Sequence, residues 1–423
     1  MPATNQWATS DHDRRILRDL AKRKLDYAHS EENEHRRERW YRHDAGSGDG
    51  PMVLCEWGLA FDQEFDAKSL QCHEEWARGL ERGFHAMLYE QEVVRDDHVI
   101  EPFMDCNWRV STSNYGVQSK HEYADNSGQL GARRWEHPLQ DLQQDFDKLR
   151  PRTFSVDREG TLAWKQVLAD VFADILPVRL RGSFWWTLGM TWTAIELIGL
   201  ENLMLYMYDD PAGLHRLMAF LRDDHLAFAA WLENEGLLSL NNANDYIGSG
   251  SMGYTRRLPQ ADWKPGVAVR TRDQWVLIES QETVGVGPEL FEEFIFPYQR
   301  DVAARFGACY YGCCEPVHTR WHVLEKLPGL RRVSVSPWCD QDFMAAALGR
   351  DRVFSRKPNP TLISTEIFDE AAIRADVRTT LQAARGCNLE IIMKDVHTLA
   401  GQPRRMARWV QLAREEINKG LGA

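Results

Sequence analysis

Residues 273–316 read DQWVLIESQETVGVGPELFEEFIFPYQRDVAARFGACYYGCCEP, and the fold turns on how this stretch is divided. The apolar run WVLI has the length of a buried strand and ends in a polar segment holding Glu279, Gln281 and Glu282. Pro288 then opens an amphipathic helix, because a proline in the first turn loses no helical hydrogen bond. A second apolar run, ACYY, ends in Cys313, Cys314 and Glu315. Strand, polar end and helix thus follow one another and begin again.

The same unit continues toward the C-terminus. RRVSVSPWCD is a strand ending near Cys339, RVFSRKPNP a strand ending in Arg356, Lys357 and Asn359, and CNLEIIMKDVHT the last strand, ending in Lys394, Asp395 and His397. Helices lie between them and after the last. Repeated units of this spacing imply a parallel sheet with helical crossovers. Toward the N-terminus, PMVLCEWGLAF reads as a first strand with Glu56 and Trp57 at its exit. Trp76, Leu80, Phe84 and Leu88 recur at steps of four and mark a helix. Asp209-Asp210-Pro211 divides a long helical stretch into two, with an aspartate placed to cap the second. The expected fold class is α/β: a single (β/α)8 TIM barrel over residues 51–423, with an insertion at about 105–160, after a charged helical extension at 1–50. That extension reads as a solvated face or as an oligomer contact, such as the face of a homodimer.

In a barrel of this kind polar residues gather where strands end, and chemistry sits there. Glu56, Glu279, Gln281, Cys313, Cys314, Glu315, Cys339, Arg356, Lys357, Asn359, Lys394, Asp395 and His397 are therefore expected at one mouth. Glu279, Lys394 and Asp395 are the candidate acid and base groups. Glu56, Trp57, Asn241, Asn244, Gln281, Tyr311, Arg356, Lys357 and Asn359 are the candidate substrate contacts. Cys313, Cys314, Glu315 and His397 are candidate metal ligands, since thiolates, imidazole and carboxylate suit zinc. Each has a plainer reading: buried cysteines as small hydrophobes, Lys394-Asp395 as a mutual ion pair, the asparagines as turn residues. Trp185, Trp186 and Trp192 read equally as pocket lining or as core.

The net charge of −12 argues against a nucleic-acid partner. No apolar run approaches the roughly 18 residues of a membrane span, and the first residues lack a signal peptide's apolar segment, so a cytoplasmic location is expected. The eight cysteines then read as thiols or ligands. GSGSMG at 248–253 is not a dinucleotide-binding GxGxxG.

Four stretches resemble the uroporphyrinogen decarboxylase-like superfamily, and within it the cobalamin-linked methyltransferase branch. They are GLENLMLYMYDDPAGLHRLM, VGVGPELFEEFIFPYQRDVAARFG, ACYYGCCEP and RVFSRKPNPTLI. The resemblance covers roughly residues 160–420. It implies a barrel enzyme that transfers a methyl group to or from a small molecule, using Zn2+ and methylcobalamin carried on a partner corrinoid protein. Two departures stand out. The arginine-rich N-terminal motif of the porphyrinogen decarboxylases is replaced by MVLCEWGLAFDQEF, which argues against that reaction. The methyltransferases' His-x-Cys zinc pair is matched by Tyr311 and Cys313, and their later cysteine falls near His397. Two other readings remain open: a metal-independent decarboxylase or lyase acting on a small acid, and a barrel that only binds a small ligand.

Overall fold

The computed structural model describes residues 7–58, 60–61, 65–123 and 133–421. Eight short strands organise it: β1 (Met52–Cys55), β2 (Met104–Asn107), β3 (Val178–Arg181), β4 (Trp275–Ile278), β5 (Ala308–Tyr311), β6 (Leu330–Val335), β7 (Val353–Arg356) and β8 (Asn388–Met393). Six of them form one hydrogen-bonded sheet in the order β1-β8-β7-β6-β5-β4. β2 and β3 form a separate parallel pair. The first strand pairs with the last, with Val53 opposite Ile391. Every residue of β1, β4, β5 and β7 is buried, as expected for parallel strands covered on both faces.

The sheet expected from sequence thus has six laddered strands among the described residues, not eight. At the two edges of that sheet, β4 and β1, side chains bond to the strand backbone. Beside β4, the side chain of Asn241 accepts from Trp275 N at 2.8 Å and donates to Trp275 O at 3.1 Å. Ser239 links Gly182, just past β3, to Gln274, just before β4. Beside β1, the Asp97 carboxylate accepts from Val53 N at 2.7 Å, and Asp97 N donates to Val53 O at 2.9 Å. Polar side chains stand in for backbone groups at both flanks. Residues 237–241 carry no regular secondary structure.

Helices follow the strands as the sequence predicts. The Pro211–Asn234 helix has Pro211 in its first turn and Asp210 capping Gly213 N. The Pro288–Phe294 helix buries Phe291 and Phe294 against the sheet. The N-terminal extension is less exposed than its charge density suggests. Ser10 caps the Asp11–Ala28 helix, whose Leu17, Leu20 and Ala21 join a core with Phe84, Leu168 and Phe172. The Glu31–Asp44 helix is anchored at the strand-start end of the sheet: His43 bonds Leu389 O at 3.0 Å and Asp44 pairs with Arg332 at 3.0 Å. These two groups near its C-terminal end hold down a helix otherwise rich in charge. The 105–160 region holds two antiparallel pairs, Arg109–Thr112 with Phe154–Asp157 and Lys120–Tyr123 with Arg133–Glu136. No helix among the described residues is long and apolar enough to cross a membrane.

Candidate active site at the strand ends

β5 ends at Tyr311, and Gly312 turns the chain with a φ of +94° that a side chain would resist. The strand alternation that would send adjacent cysteines to opposite faces is therefore over before they are reached. Cys313 and Cys314 stand with their sulfurs 3.6 Å apart. Lys394, just past β8, points its Nζ at Cys313 Sγ at 3.7 Å and at Ser249 Oγ at 3.3 Å. Asp395 pairs with Lys394 at 3.4 Å and accepts from Cys314 Sγ at 3.7 Å. Ser249 and Asp395, the two residues that touch Lys394 beside the thiol, both have positive φ, at +46° and +57°. Left-handed backbone at non-glycine residues costs free energy and concentrates at functional sites.

The two thiols divide their roles. The Cys314 thiol donates to Cys313 and lowers its pKa, burial works against this, and the Lys394 ammonium lowers it further. Cys314 is raised, first by that same bond and then by burial and nearby negative charge, Asp395 included. Of the pair, Cys313 is thus the one biased toward the thiolate, by the Cys314 thiol and then by the Lys394 cation, and Cys314 the one biased toward the thiol. Lys394 stays charged: burial opposes this, but Cys313, Tyr246, Asp395 and Glu56 together raise its pKa.

Two buried carboxylates lie on the other side of Cys313. Both oxygens of Glu315 are occupied by backbone, Oε1 by Ser280 N at 2.9 Å and Oε2 by Cys313 N at 2.8 Å. Glu315 therefore shapes the loop. Glu279 accepts from Gln281 N at 3.0 Å through Oε2, while Oε1 is buried without a partner. Burial, then the charges of Glu315 and Glu282, push the Glu279 carboxyl up to about 9, so it is protonated near neutral pH. Gln299 holds the Glu279 carbonyl at 3.0 Å and Gly189 O at 2.9 Å, fixing this segment.

A polar column runs down between the strands beneath Cys313. Lys357 donates to Ser355 Oγ, Ser355 to Glu390, and Arg332 lies 3.7 Å from Glu390 with both side chains fully buried. Burial lowers Lys357 to about 7 against the pull of Glu390. Ser249, Ser355, Arg332 and Glu390 were not singled out from sequence. The alternation of Arg332, Ser334 with Val333, Val335 in β6 is the signal that would have found the column, because two polar residues on one face of a buried strand need an inward polar partner.

The other candidates divide. Glu56 lies beside Gly250, where an added Cβ would come within 3.0 Å of its Oε1; burial raises its pKa and Lys394 opposes this. Tyr311 is buried, its hydroxyl without a partner. Gln281 sits in the turn after Glu279. Trp57 packs on Phe61 and Tyr89, at 5.2 and 4.9 Å between ring centres. Arg356 turns away from the mouth to Ser336 O and Asp376. Asn359 caps Thr361 N at 3.0 Å. Asn241 bridges to β4, and Asn244 donates to Val99 O at 2.8 Å. Cys339 lies under the loop, 3.7 Å from Glu315 O. Trp186 and Trp192 are 47% and 38% exposed, whereas Trp185 packs on Phe306.

Zinc needs about three converging protein ligands. His397 is exposed, and no three ligand atoms drawn from Cys313, Cys314, Glu315 and His397 lie within 4.8 Å of one another. Glu315 is committed to backbone, and the cation seated against the Cys313 sulfur is Lys394. The residues as arranged do not fit a zinc site. Among the described residues, the cluster that does meet this spacing is His12, Asp13 and His73, at the start of the Asp11–Ala28 helix.

No protein-family model and no curated protein sequence matches the chain. Among solved structures it is similar to a methyltransferase from Methanosarcina mazei, with a TM-score of 0.51 and 12% identity over 90% of this chain and 99% of that one. At that identity the likeness is one of fold.

Proposed function

We propose that this chain is a methyltransferase in which the Cys313 thiolate is the point of transfer. The observation that carries the reading is the Cys313–Lys394 pair at 3.7 Å, set at the strand ends beside a buried, protonated Glu279. The thiolate attacks the methyl carbon of a donor. A carbon–sulfur bond forms as the bond to the donor's leaving atom breaks; that atom departs with the electron pair and takes a proton from Glu279. An acceptor nucleophile then attacks the methyl carbon, and Cys313 leaves as the thiolate again. One property serves both halves: a lowered thiol pKa supplies the nucleophile at neutral pH and makes the thiolate a better leaving group. The Lys394 ammonium is fixed where the sulfur's charge disappears and returns.

The fold likeness to a methyltransferase supports this reading. We further infer that the eight strands close into a (β/α)8 barrel. The β2–β3 pair fills the gap between β4 and β1, and Ser239, Asn241 and Asp97 mend the two seams. The partner expected from the sequence resemblance, a corrinoid carried on another protein, would supply the strong nucleophile that demethylating a thioether requires. Trp186 and Tyr246, both nearly half exposed, give the mouth a rim of flat rings suited to a planar macrocycle. Tyr246 is among the groups whose charge Lys394 senses.

The test is a donor screen with methyl thioethers, methylamines and methoxy-aromatics against reduced cobalamin, followed by the visible spectrum of the corrinoid. Turnover lost in Cys313→Ser supports the proposal. Turnover that survives this substitution refutes it. A second reading, a metal-free lyase or decarboxylase with Glu279 as the acid, is favoured by the unpartnered Glu279 Oε1 and predicts a product formed without any methyl acceptor.

A further inference from the structure

Methyl transfer through Cys313 leaves a role for Cys314 unassigned. The two sulfurs stand 3.6 Å apart just past the Gly312 turn. A disulfide bond is about 2.05 Å long, so closing one here takes a sulfur movement of about 1.5 Å. Cys314 is the exposed member of the pair, and rotation about its Cα–Cβ bond supplies a movement of that size. Cys309 and Cys339, on neighbouring segments, are turned elsewhere: Cys309 Sγ lies 3.4 Å from Tyr310 O, and Cys339 Sγ lies 3.6 Å from Ser336 Oγ and 3.7 Å from Glu315 O.

The surroundings of the two sulfurs differ in the way a dithiol reaction needs. Lys394 Nζ faces Cys313 Sγ at 3.7 Å, and Asp395 Oδ2 accepts from Cys314 Sγ at 3.7 Å. One sulfur thus has a cation to hold its negative charge, and the other has a carboxylate to take its proton. Burial raises the thiols of Cys55, Cys72, Cys106, Cys309, Cys339 and Cys387. Of the eight cysteines Cys313 alone is lowered, by the Cys314 thiol and then, against burial, by Lys394. A low-pKa thiol beside a second, resolving thiol is the arrangement of redox-sensing cysteines. Cys313 is 4% exposed, which admits an oxidant the size of hydrogen peroxide and excludes a bulky one.

We propose that Cys313 and Cys314 form a redox-active dithiol, oxidised by a small hydroperoxide to a disulfide between the two adjacent residues and restored by thiols. The Cys313 sulfur attacks one peroxide oxygen. A sulfur–oxygen bond forms, the oxygen–oxygen bond breaks, and the departing hydroxide takes a proton from solvent and leaves as water. Cys314 then gives its proton to Asp395, and its sulfur attacks Cys313. The sulfur–sulfur bond forms, the sulfur–oxygen bond breaks, and the second hydroxide leaves as water with the proton from Asp395. Two thiols are oxidised and one peroxide is reduced to two waters. Adjacent Cα atoms lie about 3.8 Å apart, short of the roughly 4.4–6.8 Å usual across a disulfide, so this bond is strained and readily reduced. Two molecules of a small thiol reverse it, leaving as their own disulfide. Whatever reaction Cys313 serves, oxidation withdraws its sulfur reversibly, so the device stands independently of the methyl-transfer reading.

The experiment treats the reduced full-length protein with hydrogen peroxide, then blocks the remaining thiols with iodoacetamide under denaturing conditions. The tryptic peptide 306–320, which holds Cys309 as well as the pair, is weighed. The expected peptide has lost two hydrogens and carries a single blocking group, on Cys309; after dithiothreitol all three of its cysteines are blocked. In Cys314→Ser the loss of two hydrogens should vanish, and Cys313 should be trapped as its sulfenic acid by dimedone or advance to the sulfinic acid. In Lys394→Met the disulfide should form at least about fivefold more slowly at neutral pH, because less of Cys313 is thiolate. The proposal is overturned by a wild-type peptide that keeps three blocking groups, by one that passes to the sulfinic acid without a disulfide, or by a loss of two hydrogens that persists in Cys314→Ser. An oxidation rate unchanged in Lys394→Met overturns the assignment of Cys313 as the attacking sulfur.

Discussion

Replacing Lys394 by methionine keeps the length of the side chain and removes its charge. Nζ lies 3.7 Å from Cys313 Sγ. Unit charges at about that separation interact by about 4 kcal/mol at an effective dielectric of about 20. The ammonium therefore favours the charged form of the Cys313 sulfur, beside the larger effect of the Cys314 thiol. Lys394 also serves Asp395, at 3.4 Å, and Glu56, so its removal also frees negative charge near the sulfur, while relaxation and water entry offset part of the loss. We expect the Cys313 inflection to move to higher pH in Lys394→Met, because a cation that lowers its pKa is removed. The assay is the ultraviolet absorbance of the thiolate as a function of pH, with Cys313→Ser as the blank for the other seven cysteines. An inflection unmoved by Lys394→Met would refute the assignment of Lys394 as the thiolate's counter-charge. An inflection that moves in Cys314→Ser alone would assign the lowering to the neighbouring thiol.

Three further expectations follow from the geometry. Glu279 keeps its proton up to about pH 9 when folded, whereas an unfolded glutamate loses it near 4.5; between these values the unfolded chain binds fewer protons, so this group makes stability fall as pH rises. The urea midpoint should therefore drop more steeply between about pH 5 and 9 in the wild type than in Glu279→Gln, and parallel curves would count against a protonated Glu279. Glu390→Met breaks the buried pair with Arg332 and should cost about 3–5 kcal/mol in urea unfolding, whereas a cost under about 1 kcal/mol would mean that Asp44 alone satisfies the arginine. Elemental analysis of protein grown with zinc should find no metal content that changes in Cys313→Ser; about one zinc per chain, lost in that variant, would restore the zinc-thiolate site.

What was legible in the sequence was the part carried by local pattern. The run WVLI with Pro288 ten residues after its end locates β4 and its helix, and the same signals locate β5 to β8. The mixed α/β fold implied by ACYYGCCEP and its companion stretches agrees with the fold likeness to a solved structure, although no family model carries the superfamily name. The edges of the six-stranded sheet were not legible. Asn241 and Asp97 replace backbone partners with side chains, and no periodicity marks such a residue. The ligand set expected around Cys313 could not be checked by spacing either: Glu315 is drawn into the loop by two backbone N–H groups, and Lys394 reaches the thiol from a strand 81 residues away. Arg356 and Asn359 sit at a strand end as expected, but a strand-end residue can turn outward, and the nearby Asp376 and Thr361 draw them that way.

The central claim is that a methyl group passes through the Cys313 sulfur. It is tested most directly by single turnover of the full-length protein with a methyl donor taken from the screen and no acceptor, followed by mass analysis of the peptide that contains Cys313. The account predicts one added methyl group on Cys313, abolished in Cys313→Ser and reduced in Lys394→Met. Methyl transfer from that donor to reduced cobalamin, with Cys313 unmodified at every time point, would contradict it.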